Sequence, residues 1–272
     1  MDRVLHPLCQ RDRAFMSEPL ILERTDNVLW LCLNRPEKKN ALTWSMYDGL
    51  REALEQSVVD DDTRAVCIFS TGDDFCAGSD VSSLGESPPA GQRRPGHRFL
   101  DTLMRYPKPV VACIRGYAFG VGATMLLHAD LVYAAPDTQF CFPFVQLGLV
   151  PEAGSSLLLP RLAGQQRAAE LLLLGERFDV STAKDIGLVN DVIDAEELLG
   201  RARKALSRLT TQPPQALADT KRLMRADLDA LGAHMDTEFE VFDRRKASAE
   251  FVRAQEAFLN KRKRTSDSTD GD

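Results

Sequence analysis

The sequence predicts an α/β fold in which repeated β-β-α units form a core and a largely helical region follows. Short, continuously apolar segments such as residues 65–70 and 109–114 are typical of strands covered on both faces. Segments with helical periodicity separate them, and beyond about residue 160 that periodicity dominates the chain. With 272 residues, 44% of them hydrophobic, the chain can form one large domain or a domain with a small appendage.

The first third of the chain alternates predicted strands and helices. A hairpin is predicted for LILER and VLWLCLN, with Thr25, Asp26 and Asn27 as its turn. Residues 40–60 predict a helix, because five apolar residues share one face at helical spacing: Leu42, Met46, Leu50, Ala53 and Leu54. Further strands are predicted in AVCIFS, KPVVACIRG, DLVYAA and TQFCF, with a helix in GVGATMLLHA.

The remaining segments are a loop and a series of helices. Residues 82–98 are rich in Pro, Gly, Ser and Arg, which predicts an exposed and mobile loop. RAAELLLLG predicts a helix that ends at Gly175, and residues 181–193 predict a short helix followed by a strand. Three more helical segments follow, and Ser248 is a candidate N-cap for a last helix with an apolar face of Phe251, Ala254 and Phe258.

Composition excludes several classes of function. A formal net charge of −6 argues against nucleic-acid binding, which favours a basic face. No apolar run reaches the roughly 18–20 residues that span a membrane. The six cysteines form no C-x-x-C pair and lie largely in apolar runs, so we expect buried free thiols. The four histidines show no metal spacing, and His128 is interpreted as a satisfied core or helix-end residue.

Two glycine-containing segments are candidates for ligand binding through the backbone. In FCAGSD, residues 75–80, small residues after a strand let the main chain approach a ligand, although a tight turn without a ligand fits equally well. In GYAFGVGATMLL, residues 116–127, three glycines open a helix whose free N–H groups suit an anion. Close strand–helix packing through glycine explains the same pattern, and neither a dinucleotide fingerprint nor a P-loop is present.

A third segment, FPFVQLGLVPEAGSS, contains a single carboxylate among apolar residues. Such a group must lie at the surface, be paired or have a function. Pro151 and the two serines resemble a helix start, so Glu152 fits a first-turn glutamate stabilised by the helix dipole. The alternative, which the residues alone favour less, is a general base that faces the N–H donors of the two glycine segments.

Five segments, in this order and spacing, resemble the crotonase superfamily, also called the enoyl-CoA hydratase/isomerase family. They are NRPEKKNAL, FCAGSD, GYAFGVGATMLLHADLVYAA, FCFPFVQLGLVPEAGSSLLLPRLAG and GERFDVSTAKDIGLVNDVI. The resemblance covers about residues 18–264. It implies a spiral of β-β-α turns with a C-terminal helical region, packed as a homotrimer or a dimer of trimers. It also implies an acyl-CoA thioester as substrate, with no separate cofactor.

The resemblance assigns roles to individual residues. The backbone N–H groups of Ser79 and Val121 are expected to hold the thioester carbonyl oxygen, and the Ala77 carbonyl is expected to meet the adenine. Asp80 completes its motif and is interpreted as structural. A basic cluster suits the CoA phosphates, or is simply a solvated charged turn; it contains Arg35, Lys38 and Lys39. The remaining expected CoA-binding or substrate-binding positions are Cys76, Gly78 and Phe144.

Two positions depart from the pattern of the hydratases in this family. Their two glutamates are expected where this chain has Thr124 and Phe144, and neither residue can act as a carboxylate. The P-E-x-x-S-S segment instead resembles the peroxisomal-type Δ3,Δ2-enoyl-CoA isomerases, which place their base at the position of Glu152. We therefore expect Glu152 to shuttle a proton beside an oxyanion hole, with burial raising its pKa. Phe142, Phe144, Val145 and Val150 are expected to exclude water.

Alternatives remain at this stage. The chain could be a hydratase that uses Glu152, another crotonase-type acyl-CoA enzyme, or a non-catalytic module that binds CoA esters or partners. We expect a flexible extension at 1–17, a spiral core at 18–200, a helical trimerisation region at 201–264 and a disordered tail at 265–272. No S-K-L signal ends the chain, and a cytoplasmic location is expected, with an organelle matrix left open.

Overall fold

The computed structural model describes residues 18–80, 88–89, 91–225 and 227–257. The predicted extension at 1–17 and the predicted tail at 265–272 lie outside these residues, as does most of the first half of the predicted loop. The predicted α/β fold is confirmed, with a helical C-terminal region.

A β-hairpin opens the described chain, as predicted. Strand β1 (Leu20–Thr25) pairs antiparallel with β2 (Val28–Leu33). The two turn residues, Asp26 and Asn27, have φ angles of 53° and 60°. A two-residue turn of this left-handed type matches the twist of the strands, and Asn and Asp tolerate it better than most residues.

The main sheet has six strands in the order β1-β2-β3-β4-β6-β9, and every pairing beyond the hairpin is parallel. The strands after the hairpin are β3 (Ala65–Ser70), β4 (Val110–Ile114), β6 (Leu131–Ala134) and β9 (Asp191–Val192). A smaller sheet contains β5 (Tyr117–Phe119), β7 (Gln139–Cys141) and β8 (Arg177–Asp179). The three-residue strands β5 and β8 were not predicted, since they are too short to show a period.

Helices cover both faces of the main sheet. In order they are α1 (Trp44–Val58), α2 (Pro95–Arg105), α3 (Val121–Thr124), α4 (Ser155–Ala163), α5 (Gln165–Ala169), α6 (Val180–Asp185), α7 (Leu198–Thr210), α8 (Pro214–Met224), α9 (Leu228–Lys246) and α10 (249–257). Leu29 and Leu31 face the core with α1 and α2, whereas Trp30 and Cys32 face a second core beneath α7. This alternation explains why β2 is apolar throughout.

The predicted loop at 82–98 is wrong in its last four residues. Helix α2 begins at Pro95, where the missing N–H of proline costs nothing, and residues 95–98 form its first turn. His97 lies within this turn and stacks on Phe239 at a ring distance of 3.6 Å. The predicted helix in GVGATMLLHA is shorter than expected, because α3 gives way to a 3₁₀ turn over Met125–His128.

Several local predictions are confirmed. Gly175 ends the π-helical turn Glu170–Leu174 in a left-handed conformation, with φ of 62°. The Ser248 hydroxyl accepts the N–H of Phe251 at 3.3 Å, so it caps α10; Phe258 lies outside the described residues. The five described cysteines are buried free thiols. Among the described residues, no helix combines the length and hydropathy needed to cross a membrane.

Candidate active site

The segment 75–80 and the start of α3 are held together by backbone hydrogen bonds. The Cys76 N–H donates to the Tyr117 carbonyl at 2.8 Å, and the Phe119 N–H donates to the Cys76 carbonyl at 2.9 Å. A Cβ on Gly122 would lie 2.4 Å from that same Cys76 carbonyl oxygen. Only glycine fits there, so the glycines of the second segment let α3 begin directly against the first segment.

Two backbone N–H groups stay open where these segments meet. Val121 is the first residue of α3, and its N–H has no acceptor within the helix. In the part of the chain that the structure describes, the N–H groups of Ser79 and Val121 donate to no acceptor. The residues before them, Gly78 and Gly120, both have positive φ angles, and a Cβ on Gly120 would lie 3.8 Å from the Gly78 Cα. This pair of donors suits an oxyanion.

Glu152 lies in a turn before α4, not in the first turn of the helix. The helix begins at Ser155 with Gly154 as its N-cap residue, so the helix-dipole interpretation of Glu152 is wrong. The side chain is 7% exposed, and its carboxyl oxygens accept no hydrogen bond from any described residue. Burial, followed by the nearby Glu238 carboxylate, raises the pKa of Glu152 to about 8. Such a group is a stronger base than an ordinary glutamate.

The charge of Glu152 acts on two buried groups close to the 75–80 segment. The Tyr47 hydroxyl and the Ser79 hydroxyl are hydrogen-bonded at 2.7 Å. Burial raises the pKa of Tyr47, and the charge of Glu152 adds to that rise. Burial also raises the pKa of Cys76 to about 12, again with a contribution from Glu152. Glu152 therefore interacts with groups on both the 75–80 segment and α1.

Hydratases are expected to have glutamates at two positions where this chain has Thr124 and Phe144. Both residues are buried, and neither has a carboxyl group. Thr124 is fully buried, and its hydroxyl has no hydrogen-bond partner among the described residues. Phe144 is 5% exposed and joins Phe142 in the main core. Of the residues expected to exclude water, Val145 differs, since it is 46% exposed on this single chain.

The three residues of the basic cluster differ in their environment: Arg35 is partly buried in an ion pair, whereas Lys38 and Lys39 are exposed. Arg35 is paired with Asp80 and also donates to the Ala41 carbonyl at 3.1 Å, so the structure favours a structural role for both partners. Lys38 is exposed. Lys39 is 3.4 Å from an Asp74 carboxyl oxygen and 4.2 Å from the centre of the Tyr117 ring. The contact of Arg35, Lys38 and Lys39 with CoA phosphates stays a prediction, and the pairing with Asp80 gives Arg35 a structural role as well.

The Ala77 peptide is held by one backbone hydrogen bond, and its carbonyl is open. The Ala77 N–H donates to the Lys39 carbonyl at 2.9 Å, which fixes the peptide, and the Ala77 carbonyl accepts nothing from the described residues. Its contact with adenine stays a prediction. Within the same described part of the chain, no group of three His, Cys, Asp or Glu side chains could hold a metal ion.

Sequence reasoning missed two residues of this site. Tyr47 is buried on the core face of α1, and a hydroxyl at a buried helix position was the signal available for it. Glu238 lies on α9, with 6% of its surface exposed, and no pattern near it in the sequence links it to Glu152.

Comparison with known proteins adds independent evidence. A family model described as enoyl-CoA hydratase/isomerase matches residues 23–268. The chain is 35% identical over 257 residues to the 1,2-epoxyphenylacetyl-CoA isomerase of Escherichia coli, covering 91% of this chain and 97% of that protein. It is 32% identical over 251 residues to the 2,3-dehydroadipyl-CoA hydratase of the same organism, with the same two coverages.

A solved structure gives the same result for the fold. An enoyl-CoA hydratase/isomerase from Pseudoalteromonas atlantica superposes with a TM-score of 0.86 at 38% identity. The match covers 90% of this chain and 98% of the other. Because the two relatives from Escherichia coli are named for different reactions, the reaction must be argued from the residues of the site.

Proposed function

The chain belongs to the enoyl-CoA hydratase/isomerase family, and from that premise we propose that it moves the double bond of a 3-enoyl-CoA ester to the 2-position. One observation favours isomerisation over the addition of water. Glu152 is a buried carboxyl group of raised pKa that accepts no hydrogen bond from the described residues, whereas the buried Glu238 carboxylate is held by three donors, and Thr124 and Phe144 supply no acid. Adding water calls for groups that activate and deliver it, whereas moving a proton within the substrate needs one base.

In this mechanism the N–H groups of Ser79 and Val121 bind the thioester carbonyl oxygen. Ionised Glu152 removes a proton from C2, the electrons of the C2–H bond move into the ester, and a dienolate forms. The two donors stabilise the negative oxygen; loss of one such donor in other enzymes costs roughly 3 kcal/mol. Protonated Glu152 then returns the proton to C4, which restores the carboxylate and leaves the 2-enoyl ester.

The surroundings of Glu152 favour this proton transfer. Its raised pKa brings the group close to neutral pH, where a general base is most effective because it can both take and return a proton. Phe142 and Phe144 belong to the main hydrophobic core, and in this proposal they limit the access of water to the dienolate. The Tyr47 hydroxyl, bonded to Ser79, adds a polar group beside the segment that bears one N–H donor.

The first prediction concerns Glu152→Gln. It keeps the shape of the side chain but removes the base, so turnover of 3-enoyl-CoA should fall by at least about 100-fold, the usual share of a general base. Binding of the saturated ester, measured by calorimetry, should stay close to that of the wild type. Glu240→Gln, an exposed position on α9, is the matched control and should leave turnover unchanged.

The same experiment separates the rival functions. Each variant is incubated with 2-enoyl-CoA in water, and the 3-hydroxy product is scored beside the isomerisation of the 3-enoyl ester. Water addition that depends on Glu152 would favour a hydratase. Ester binding without either reaction would favour a non-catalytic module. Retained isomerisation in Glu152→Gln would overturn the role of Glu152.

A further inference from the structure

The turn that carries Glu152 is fixed by two side chains from distant parts of the chain. Ala153 and Gly154 both adopt left-handed conformations, with φ of 62° and 69°. The His128 Nε2 atom lies 2.8 Å from the Ala153 carbonyl oxygen, and because a carbonyl only accepts, Nε2 carries the hydrogen. From α9, the carboxylate of Glu238 accepts the Gly154 N–H at 2.6 Å.

Glu238 also caps the N-terminus of α4. One carboxyl oxygen accepts the Gly154 N–H, and the other accepts both the N–H, at 3.0 Å, and the hydroxyl of Ser156. These N–H groups would otherwise have no acceptor, since the first turn of a helix leaves its donors open and no residue of this turn caps α4 with its side chain. A buried glutamate 84 residues away in sequence therefore takes the place of a local cap.

We propose that Glu238 is a positioning residue for the proton shuttle: its carboxylate fixes the turn that carries Glu152 and places a negative charge beside that side chain. This proposal deepens the proposed function and depends on Glu152 as the base. Glu238 itself touches no reacting atom in it; its effect passes through the turn and through its charge.

Hydrogen bonding decides which of the two carboxyl groups is charged. Burial raises the pKa of Glu238 as well, but its three hydrogen-bond donors favour the charged form and oppose that rise. Glu152 accepts none from the described residues, so its ionised form has only its burial and a like charge around it. When the pair shares one proton, that proton resides on Glu152, and Glu238 is the anion.

The other titratable groups that face this pair supply no competing negative charge. Cys76 and Tyr47 stay protonated, because burial raises the pKa of each. His128 stays neutral, since burial lowers its pKa to about 4. His234, also on α9, lies 2.8 Å from the Ser156 hydroxyl and 3.5 Å from Glu238. The charge that Glu152 meets is therefore that of Glu238.

The direct test is a titration of Glu152 by carbon-13 NMR in protein labelled at the glutamate carboxyl carbon. The signal of Glu152 is the one missing from Glu152→Gln. In Glu238→Gln its midpoint should fall by about one pH unit, because a like charge is removed while burial remains. In Ser156→Ala, which removes one hydrogen bond but keeps the charge, and in the surface control Glu240→Gln, the midpoint should stay at the wild-type value.

A second variant separates charge from position. Glu238→Asp keeps the negative charge on a shorter side chain that cannot hold both Gly154 and Ser156. The Glu152 midpoint should stay high in this variant, while kcat for the isomerisation falls at least about tenfold because the turn shifts. In Glu238→Gln, the acidic limb of the kcat/KM profile should move to lower pH together with the NMR midpoint.

The outcomes distinguish this inference from the proposed function. An unchanged Glu152 midpoint in folded Glu238→Gln, or an equal shift in Ser156→Ala, would overturn the role of Glu238. If Glu238→Gln does not fold, a lowered midpoint in Glu238→Asp would overturn it instead. Wild-type protein without turnover would remove the isomerase assignment, yet the NMR titration would still decide whether Glu238 sets the ionisation of Glu152.

Discussion

At the scale of single residues, the proposed chemistry depends on a carboxyl group that the fold keeps out of water. Glu152 is buried and meets the charge of Glu238. Both effects oppose its ionisation, so the folded state binds its proton more tightly than the unfolded chain does. The same property that makes Glu152 a useful base should therefore destabilise the protein at alkaline pH.

The second prediction concerns this loss of stability at alkaline pH. The folded pKa of Glu152, about 8, lies above the ordinary value of 4.5. Between these values the unfolded chain releases the proton and the folded chain keeps it, so the stability contributed below pH 4.5 is lost as pH rises through 8. Glu152→Gln has no such proton to lose. Its melting temperature should exceed that of the wild type at pH 9 and approach it at pH 5, measured by calorimetry.

Gly122 gives the third prediction. An added Cβ would meet the Cys76 carbonyl at 2.4 Å and the Cys76 Cβ at 2.8 Å, so Gly122→Ala must push α3 away from the 75–80 segment. We expect a loss of about 1–3 kcal/mol in stability and a lower kcat, because Val121 moves with the helix. The control is Gly200→Ala on α7, where a Cβ meets nothing within 4 Å and should be neutral or stabilising. Equal effects at both glycines would contradict this explanation.

At the scale of elements, helix α8 is joined to the main sheet by a partly buried network of ion pairs. Asp130, just before β6, accepts Lys221 of α8 at 2.6 Å and Arg225 at 2.9 Å, and also the Val110 N–H at the start of β4. Arg225 donates in addition to the His128 carbonyl. Burial lowers the pKa of Lys221 to about 8 although Asp130 opposes that shift. The network thus fixes α8 beside the same 3₁₀ turn that carries His128.

The fourth prediction removes the centre of that network. Asp130→Asn leaves the buried Lys221 ammonium without its counter-charge, which in other proteins costs about 3 kcal/mol or more. The control is Asp219→Asn on α8, the helix that carries Lys221. It breaks an exposed ion pair with Arg222 and should change stability by less than about 0.5 kcal/mol. Urea unfolding of both variants measures the difference. Similar midpoints for the two would show that the network contributes little.

At the scale of the whole molecule, the single chain leaves an apolar surface uncovered. The π-helical turn bears Leu173 and Leu174, which are 65% and 54% exposed, and the 3₁₀ turn that begins at Val145 packs beside it. Gln146 joins the two turns by donating to the Leu174 carbonyl at 3.0 Å. Adjacent exposed residues of this size mark surfaces that associate with a partner. We propose that a second copy of the chain covers them, as in the trimer that the family resemblance implies.

The fifth prediction tests this assembly. Sedimentation equilibrium should give a mass of about three chains of 30.2 kDa, or a multiple of it. Leu173→Asp should shift the protein toward the single-chain mass, because a carboxylate would be buried without a partner. Val59→Asp changes a valine that is 83% exposed after α1 and is the control. A monomeric wild type would contradict the proposal.

What the sequence by itself determined is local. The turn residues Asp26 and Asn27 specified the hairpin, the glycines specified where backbone could approach backbone, and the carboxylate before α4 identified the candidate base. Each depends on a residue's own backbone preferences or on neighbours a few positions away, and such preferences can be read from one segment. The start of α2 was missed because proline is common in loops and equally favoured at the first position of a helix.

Only the tertiary structure decided how these parts act together. It pairs Arg35 with Asp80 and shows that Glu152 lies in a turn before α4. It also brings Tyr47 and Glu238 into the candidate site. None of these contacts follows from local pattern, because each joins elements far apart in the chain, and its strength comes from burial that exists only once the core has packed. The sequence supplied the proposed base, and the structure placed Glu238 of α9 in hydrogen-bond contact with the turn that carries it.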